Sequence, residues 1–218
     1  MNNINASKEY FNKSAFGLLQ LPTNSDHKSS IIKSFWKEAN QEVILKFSLV
    51  ESFLTPSYIA NFRKLMFITH PNIVTHYRIF DLDESFSPFT LVEVLELVNG
   101  GTFSDNVEKI ASEGLLAEVL KDVFNGLHHL HCNNILHRDI KGTNILIKKN
   151  KHRISAKISD IELLMPVLND KVCNMTTPEF LAPEATDYST YNAKSEMWAI
   201  GVMLYQICLL YTSPSPRD

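Results

Sequence analysis

The pattern of apolar residues divides the chain into a strand-like first part and a helix-like second part. Short β-branched or apolar runs at 42–47 and 86–95 predict strands, the second entered through a turn. Between them, Thr55 and Pro56 suit the start of a helix, and apolar residues follow at helical spacing. Residues 22–30 are polar and have no apolar period, which predicts a loop. The first part is therefore expected to be sheet-rich with one helix.

Helical spacing dominates after Gly100 and Gly101. An amphipathic stripe is formed by Leu116, Val119, Leu120, Val123, Phe124, Leu127 and Leu130. A further apolar run extends from Trp198 to Tyr211 and is interrupted by Gln206. It is too short to span a bilayer, so it predicts a buried core helix.

Composition narrows the class of protein. The 218 residues are 44% hydrophobic and carry a net charge of −3 with interspersed signs, which does not favour binding to nucleic acid or to an anionic membrane. The three cysteines show neither metal-ligand spacing nor an even count. The N-terminal residues lack the basic and apolar regions of a signal peptide, so we expect a cytoplasmic protein.

Three histidines lie close together on the first predicted helix of the second part. His128 and His131 would occupy neighbouring turns, with His129 between them. Zinc requires further ligands, and none converge with these residues in the sequence. We therefore expect structural or solvent-facing roles for them.

The segment 137–144, His-Arg-Asp-Ile-Lys-Gly-Thr-Asn, carries the strongest chemical signal. Phosphoryl transfer depends on positioning and on charge neutralisation. Asp139 can accept a hydroxyl proton, Lys141 can neutralise the transferring group, and Asn144 can hold a metal ion. The segment resembles the catalytic loop of eukaryotic-type Ser/Thr protein kinases at every fixed position, and Lys141 is typical of the Ser/Thr branch.

Two later segments extend this resemblance. Residues 157–162 resemble the Asp-Phe-Gly segment, with Asp160 kept as the implied Mg²⁺ ligand and Glu162 in place of glycine. Residues 176–184 resemble the end of an activation segment, in which the Thr177 hydroxyl is implied to bridge Asp139 and Lys141. Thr176 replaces a glycine there, and is either a phosphosite or an ordinary exposed threonine.

Glu196 stands where kinases of this family carry the aspartate that binds the catalytic-loop backbone. Its side chain is one methylene longer than that of aspartate. We expect a looser fit between Glu196 and the loop.

The nucleotide-binding residues are implied by the same resemblance. Lys46 corresponds to the lysine that grips the α- and β-phosphates, and Asn61 stands where the glutamate that pairs with this lysine is expected. Glu51 is too near Lys46 in sequence to replace that glutamate. The other implied ATP-binding residues are Asn12, Ser14, Gly17 and Leu19 of a phosphate-covering loop, Ile44 above the adenine, Leu95, Glu96 and Val98 of the hinge, and Leu146 below the adenine.

The resemblance implies an α+β, bilobal kinase fold with a β-rich lobe and hinge at 1–98 and an incomplete helical lobe at 99–207. Residues 208–218 resemble a translated sequencing adapter, so we expect native sequence to end near residue 207, the alternative being a genuine Ser/Pro-rich terminus. The implied function is ATP- and Mg²⁺-dependent phosphorylation of protein Ser/Thr residues. One alternative is a pseudokinase that acts as a nucleotide-binding or scaffolding module, favoured by Asn61, Glu162, Asn12 and Ser14. The other is a small-molecule phosphotransferase, which the ending of the activation segment at 182–184 disfavours.

Overall fold

A computed structural model describes residues 10–17, 29–49, 63–83, 89–151, 153–161, 177–186 and 190–212. The chain forms two compact units. The first unit comprises Met1–Thr69 and Val74–Leu97, and the second comprises His70–Ile73 and Val98–Asp218.

The first unit contains a four-stranded antiparallel sheet in the order β1-β2-β4-β3. Its strands are β1 Ser29–Trp36, β2 Gln41–Ser48, β3 His76–Asp81 and β4 Leu91–Glu96. Strands β2 and β4 confirm the two predicted strands. Strand β1 begins within the predicted loop, because Ser29 and Ser30 join the ladder opposite Ser48 and Phe47.

The core of the first unit lies on one face of this sheet. Val43, Leu45 and Phe47 alternate along β2 and are fully buried. They belong to one apolar cluster with Phe11, Phe16, Phe80, Phe89, Val92 and Val94. Because successive strand residues point to opposite faces, Ile44 and Lys46 lie on the other face, where they are half-buried.

The helix predicted from Thr55 lies mostly outside the described residues. Its described end, Arg63–Phe67, is a 3-10 helix with Leu65 buried. Arg63 binds Asp81 at the end of β3, with 2.5 Å between Nη2 and Oδ2. This ion pair ties the segment to the sheet.

Among its described residues, the second unit contains three α-helices, short 3-10 helices and one two-stranded antiparallel sheet. Its elements are helix α1 Phe103–Ser112, helix α2 Leu116–Cys132, strands β5 Ile145–Lys149 and β6 Ile154–Ile158, and helix α3 Ala193–Thr212. Helix α1 starts with a capping box, in which Thr102 and Asp105 each accept a hydrogen bond from the other's backbone N–H. The predicted α+β class is confirmed.

Helix α2 confirms the predicted amphipathic stripe. Val119, Val123, Leu127 and Leu130 are buried, whereas Phe124 is 43% exposed. The buried face also carries Asp122, which accepts a hydrogen bond from the backbone N–H of Ala156 at 2.9 Å. Helix α2 is thus fixed to β6, immediately before the residues of the candidate site.

The prediction of a buried core helix is right for only one face of α3. Ala199, Ile200, Met203 and Ile207 are buried, but Trp198 is 48% exposed and Tyr205 is 64% exposed. Among the helices that the structure describes, none combines the length and the apolar character needed to cross a bilayer.

Candidate active site

The segment 137–144 follows α2 and folds around the carboxylate of Asp139. Lys141 Nζ lies 2.6 Å from Asp139 Oδ2. Asn144 Nδ2 donates to the same oxygen at 2.9 Å and to the Asp139 carbonyl at 2.8 Å. The turn Gly142–Asn144 is a 3-10 helix, which carries Asn144 back towards Asp139. One short stretch of chain therefore supplies the acid, the cation and the amide.

Thr177 joins this cluster from the end of the predicted activation segment. Its hydroxyl accepts a hydrogen bond from Lys141 Nζ at 2.8 Å and donates one to Asp139 Oδ1 at 2.8 Å. Its backbone N–H also donates to Asp139 Oδ1 at 3.2 Å. The bridge that the resemblance implied is thus present, with the hydroxyl as both acceptor and donor.

Two opposing effects set the pKa of Asp139. Burial raises the pKa, but hydrogen bonds from Lys141, Thr177 and Asn144 and the charge of Lys141 outweigh burial and hold the pKa below its usual value of 3.8. The carboxylate is therefore ionised at neutral pH. It can orient a hydroxyl group and receive its proton late in a reaction.

His137 connects Asp139 to the residues before Asp160. His137 is fully buried, and its Nε2 lies 2.7 Å from the carbonyl oxygen of Ser159. Because a carbonyl only accepts, Nε2 carries the proton, and Nδ1 accepts the backbone N–H of Asp139 at 3.2 Å. A neutral imidazole satisfies both contacts.

Glu196 holds the catalytic loop from beneath, and the expectation of a looser fit is wrong. Its side chain is fully buried, and Oε1 accepts the backbone N–H of Arg138 at 2.8 Å. Its second oxygen, Oε2, lies 2.5 Å from Nε2 of His131 on α2. The longer side chain therefore reaches two partners and is fixed at both oxygens.

Arg138 adopts a left-handed backbone conformation, with φ of 71°. Its guanidinium lies over the ring of Tyr191, 6.0 Å from the centroid, and its buried Nε has no hydrogen-bond partner among the described residues. Burial lowers the pKa of Arg138, whereas burial and the charge of Glu196 raise the pKa of the Tyr191 hydroxyl, so Tyr191 stays neutral at neutral pH.

Asn144 and Asp160 supply oxygen atoms suited to Mg²⁺. Within the described residues, both side-chain hydrogen bonds of Asn144 use Nδ2, which leaves Oδ1 for a cation. The Ser159 N–H and hydroxyl both bind the Asn144 carbonyl, at 2.9 Å and 3.0 Å, which ties the two candidate ligands together. Asp160 itself has φ of 59°. An amide oxygen and a carboxylate fit the preference of Mg²⁺ for hard oxygen ligands.

In the first unit, Lys46 and Ile44 lie on β2, and Leu95 and Glu96 lie at the end of β4. Ile44 pairs with Leu95, and Lys46 pairs with Glu93. The Glu96 N–H donates to the Thr75 carbonyl at 2.9 Å, which fixes the strand end where the predicted hinge begins.

Asn12, Ser14 and Gly17 do not lie where a phosphate-covering loop is needed. Asn12 caps the 3-10 helix Lys13–Ala15 by accepting from the Ser14 N–H, and the Gly17 N–H donates to Phe35 near the end of β1. Lys46 pairs with Ile31, near the start of β1. Phe35 is four residue steps along the strand from Ile31, a distance of about 13 Å. This placement contradicts the predicted role of these three residues, and Leu19 lies outside the described residues.

Val98 and Leu146 belong to the second unit. The Ile147 N–H donates to the Gly101 carbonyl at 2.8 Å, and Leu146 forms an isolated bridge with Thr102. A Cβ added at Gly100 would lie 2.1 Å from the Ile147 carbonyl oxygen, so the strand β5 requires glycine there.

Several predicted residues lie outside the described part of the chain, namely Leu19, Glu51, Asn61, Glu162 and Thr176. Their predicted roles stay predictions.

Sequence reasoning missed three residues that the structure brings to these groups. His131 was considered only as part of a histidine cluster, and its partner Glu196 is distant in sequence. Glu93 and His76 form a buried pair, with 3.1 Å between Oε2 and Nε2. The available signal was a glutamate that interrupts the apolar run of β4.

Comparison with known families gives a match to the protein kinase domain over residues 27–216. Myosin light chain kinase A of Dictyostelium discoideum is 31% identical over 206 residues, which cover 91% of this chain and 64% of that protein. Serine/threonine-protein kinase Nek8 of Danio rerio is 32% identical over 152 residues, or 67% of this chain and 21% of that protein.

A third relative is serine/threonine-protein kinase shk2 of Schizosaccharomyces pombe, 33% identical over 142 residues, which cover 63% of this chain and 23% of that protein. The matched segment therefore spans less than two thirds of the length of each of these three relatives.

Proposed function

Since this chain belongs to the protein kinase domain family, we propose that it is a Ser/Thr protein kinase that transfers the γ-phosphoryl group of ATP to a protein hydroxyl. The observation that carries this proposal is the cluster of Asp139, Lys141, Asn144 and Thr177. Its hydrogen bonds hold a carboxylate, an ammonium group and an amide oxygen suited to Mg²⁺ close together, which supports the proposal.

The proposed mechanism uses these groups in sequence. Asp139 orients the attacking hydroxyl and receives its proton as the new P–O bond forms. Lys141 neutralises charge on the transferring phosphoryl group while the bond to the ADP oxygen breaks. Thr177 keeps the acid and the lysine in register with each other.

Asn144, through Oδ1, and Asp160, through its carboxylate, are the residues that would hold Mg²⁺. When bound, this ion neutralises the phosphate oxygens of ATP. Lys46, Ile44, Leu95, Glu96, Val98 and Leu146 are the residues proposed to contact ATP.

A cavity of about 190 Å³ next to the catalytic loop supports a protein substrate. It is lined by residues that include Lys141, Thr143, Val107, Phe180 and Ile207. A mainly apolar cavity that shares Lys141 with the catalytic cluster suits a side chain of the polypeptide that carries the hydroxyl. We further propose a cytoplasmic location and no nucleic-acid partner, in keeping with the net charge of −3.

The decisive test is single-turnover consumption of ATP by the full-length protein and by its Asp139→Asn variant. Loss of the carboxylate that accepts the proton is expected to slow transfer by about 10² to 10⁴-fold. Glu118→Gln, which neutralises an exposed carboxylate on α2, is the control and is expected to retain the normal rate. Equal rates for the full-length protein and Asp139→Asn would refute the enzyme proposal.

The pseudokinase alternative has support from the sequence, since Asn61 replaces the expected glutamate and Glu162 replaces a glycine. It predicts that Mg-ATP raises the melting temperature without turnover. Turnover that depends on Asp139 would exclude it.

A further inference from the structure

The cavity beside the catalytic loop is lined mainly by apolar side chains of α1 and α3. Phe103 of α1 and Met203 and Ile207 of α3 are 1%, 3% and 6% exposed. Val107 of α1 and Phe180 add half-buried apolar surface. The volume of about 190 Å³ exceeds the roughly 150 Å³ at which an apolar protein cavity binds benzene. The cavity is therefore large enough for a whole apolar side chain.

The charges around the cavity do not favour an ionised occupant. Its polar lining residues are Ser104, Thr143, Gln206 and Lys141. Among the described residues that line the cavity, Lys141 is the only one with a charged side chain, and none is acidic. The Lys141 ammonium group already lies 2.6 Å from Asp139 Oδ2 and donates to the Thr177 hydroxyl at 2.8 Å. A buried charge without an opposite partner is costly, so the cavity favours a neutral apolar group.

The cavity adjoins the cluster around Asp139. Lys141 belongs to that cluster and also lines the cavity. Phe180 lines the cavity as well, and it ends the 3-10 helix that begins directly after Thr177. An extended polypeptide advances about 3.3 Å per residue. A side chain one to about three residues away from a hydroxyl at Asp139 therefore has the reach to enter the cavity.

We infer that this cavity is a specificity pocket for a large apolar side chain of the substrate, such as leucine, methionine or phenylalanine, close in sequence to the phosphorylated hydroxyl. Helices α1 and α3 determine the preference through Val107 and Met203. The pocket discriminates against arginine and lysine, because it offers them no carboxylate. This inference deepens the proposed function and rests on it, because the pocket selects a substrate only if the protein phosphorylates one.

The first experiment measures the preference in the full-length protein. Peptides carry one serine among alanines, and leucine, arginine or glutamate replaces each nearby alanine in turn. At one position, leucine is expected to raise kcat/KM by about tenfold over arginine and over glutamate, because only leucine gains from burial in an apolar pocket. Equal kcat/KM values for the three side chains at every position, or a preference for arginine or glutamate, would overturn the inference.

The second experiment reverses the preference. Val107→Asp introduces a carboxylate into the pocket and is expected to shift the ratio of kcat/KM for the leucine peptide to that for the arginine peptide by at least about tenfold towards arginine. Both peptides are compared within one variant, so any loss of folded protein cancels. Ser112→Asp adds the same charge at the exposed end of α1 and should keep the original ratio. If Val107→Asp does not fold, Val107→Thr replaces it, with an expected shift of about threefold. An unchanged ratio in the variant measured contradicts the inference.

Binding without turnover distinguishes failure of the inference from failure of the proposed function. Fluorescence anisotropy measures the affinity of the leucine and arginine peptides after alanine has replaced their serine. If the leucine peptide binds about tenfold more tightly and Val107→Asp removes this difference, the pocket assignment stands. The same result in a protein that transfers no phosphate would refute the proposed function alone. Phosphate transfer that shows no side-chain preference would refute the inference alone.

Discussion

The loop 137–144 and the four-stranded sheet each place a carboxylate beside a basic side chain, but they assemble the pair differently. Asp139 and Lys141 are two residues apart, Thr177 bonds to both of them, and Asn144 bonds to Asp139. Glu93 and His76 come from separate strands, and their side chains lie 3.1 Å apart. The loop is therefore a network with several supports, whereas the sheet pair depends on strand register. We therefore expect substitutions at residues that support the loop and substitutions in the sheet to change stability and activity independently of each other.

The largest effect is expected at Glu196, which supports the loop network. Glu196→Ala removes the acceptor of the Arg138 backbone N–H and the carboxylate that contacts Nε2 of His131. It should lower the free energy of unfolding by about 3 kcal/mol. Urea unfolding measures this loss. Glu118→Ala, an exposed change on α2, is the control.

Glu196→Asp tests whether the length of the Glu196 side chain matters for stability. Aspartate is one methylene shorter and is expected to lose one of the two contacts, at a cost of about 1 kcal/mol. Unfolding energies of Glu196→Asp at or above those of the unmodified chain would show that the longer side chain has no advantage.

The next effect concerns the link between Lys141 and Asp139. Thr177→Val keeps the shape but removes the hydroxyl that bridges them, so kcat/KM for a peptide substrate should fall by about tenfold. Thr177→Ser keeps the hydroxyl and should retain most of the activity. Mg-ATP affinity should stay unchanged in both variants, because Thr177 contacts Asp139 and Lys141 and is not among the residues proposed to contact ATP. A loss of Mg-ATP affinity in Thr177→Val would show that the loop and the four-stranded sheet do not act independently.

Two helix glycines, Gly126 and Gly201, allow a test of how closely α2 packs against its neighbours. A Cβ at Gly126 of α2 would lie 2.8 Å from the Asn72 carbonyl oxygen and 2.8 Å from Ile158 Cδ1, so Gly126→Ala should cost about 1 to 3 kcal/mol. A Cβ at Gly201 of α3 would meet nothing within 4 Å, so Gly201→Ala should stabilise the helix by up to about 1 kcal/mol. Thermal unfolding of both variants measures the contrast. Equal shifts would argue against close packing at Gly126.

The smallest effect is a pH dependence that arises from Asp139. The pKa of Asp139 in the folded chain is below the usual 3.8. The contribution of Asp139 to stability is therefore fully present above pH 3.8 and is lost as the pH falls through the folded-state pKa. The stability difference between the chain and Asp139→Asn should be constant near neutral pH and shrink below pH 3.8. A difference that shrinks at higher pH would contradict the lowered pKa.

Local residue spacing was sufficient to predict that Asp139, Lys141 and Asn144 lie together. Asp139, Lys141 and Asn144 lie within six residues, so the chain cannot separate them far, and their chemistry is visible in the sequence. The strands β2 and β4 and helix α2 were likewise predicted, because apolar periodicity reports directly on which face is buried. The phosphate-covering loop was placed wrongly at Asn12, Ser14 and Gly17, since a pattern with a single remaining glycine does not specify where the backbone runs.

The sequence by itself determined the family and the grouping of Asp139, Lys141 and Asn144, because these depend on residues close together in the chain. Only the tertiary structure decided that Glu196 contacts His131 and that Glu93 contacts His76. The first contact depends on how α2 and α3 pack, and the second depends on how β3 and β4 pair. Helix packing and strand pairing bring together side chains that are distant in sequence, so no local sequence pattern relates them.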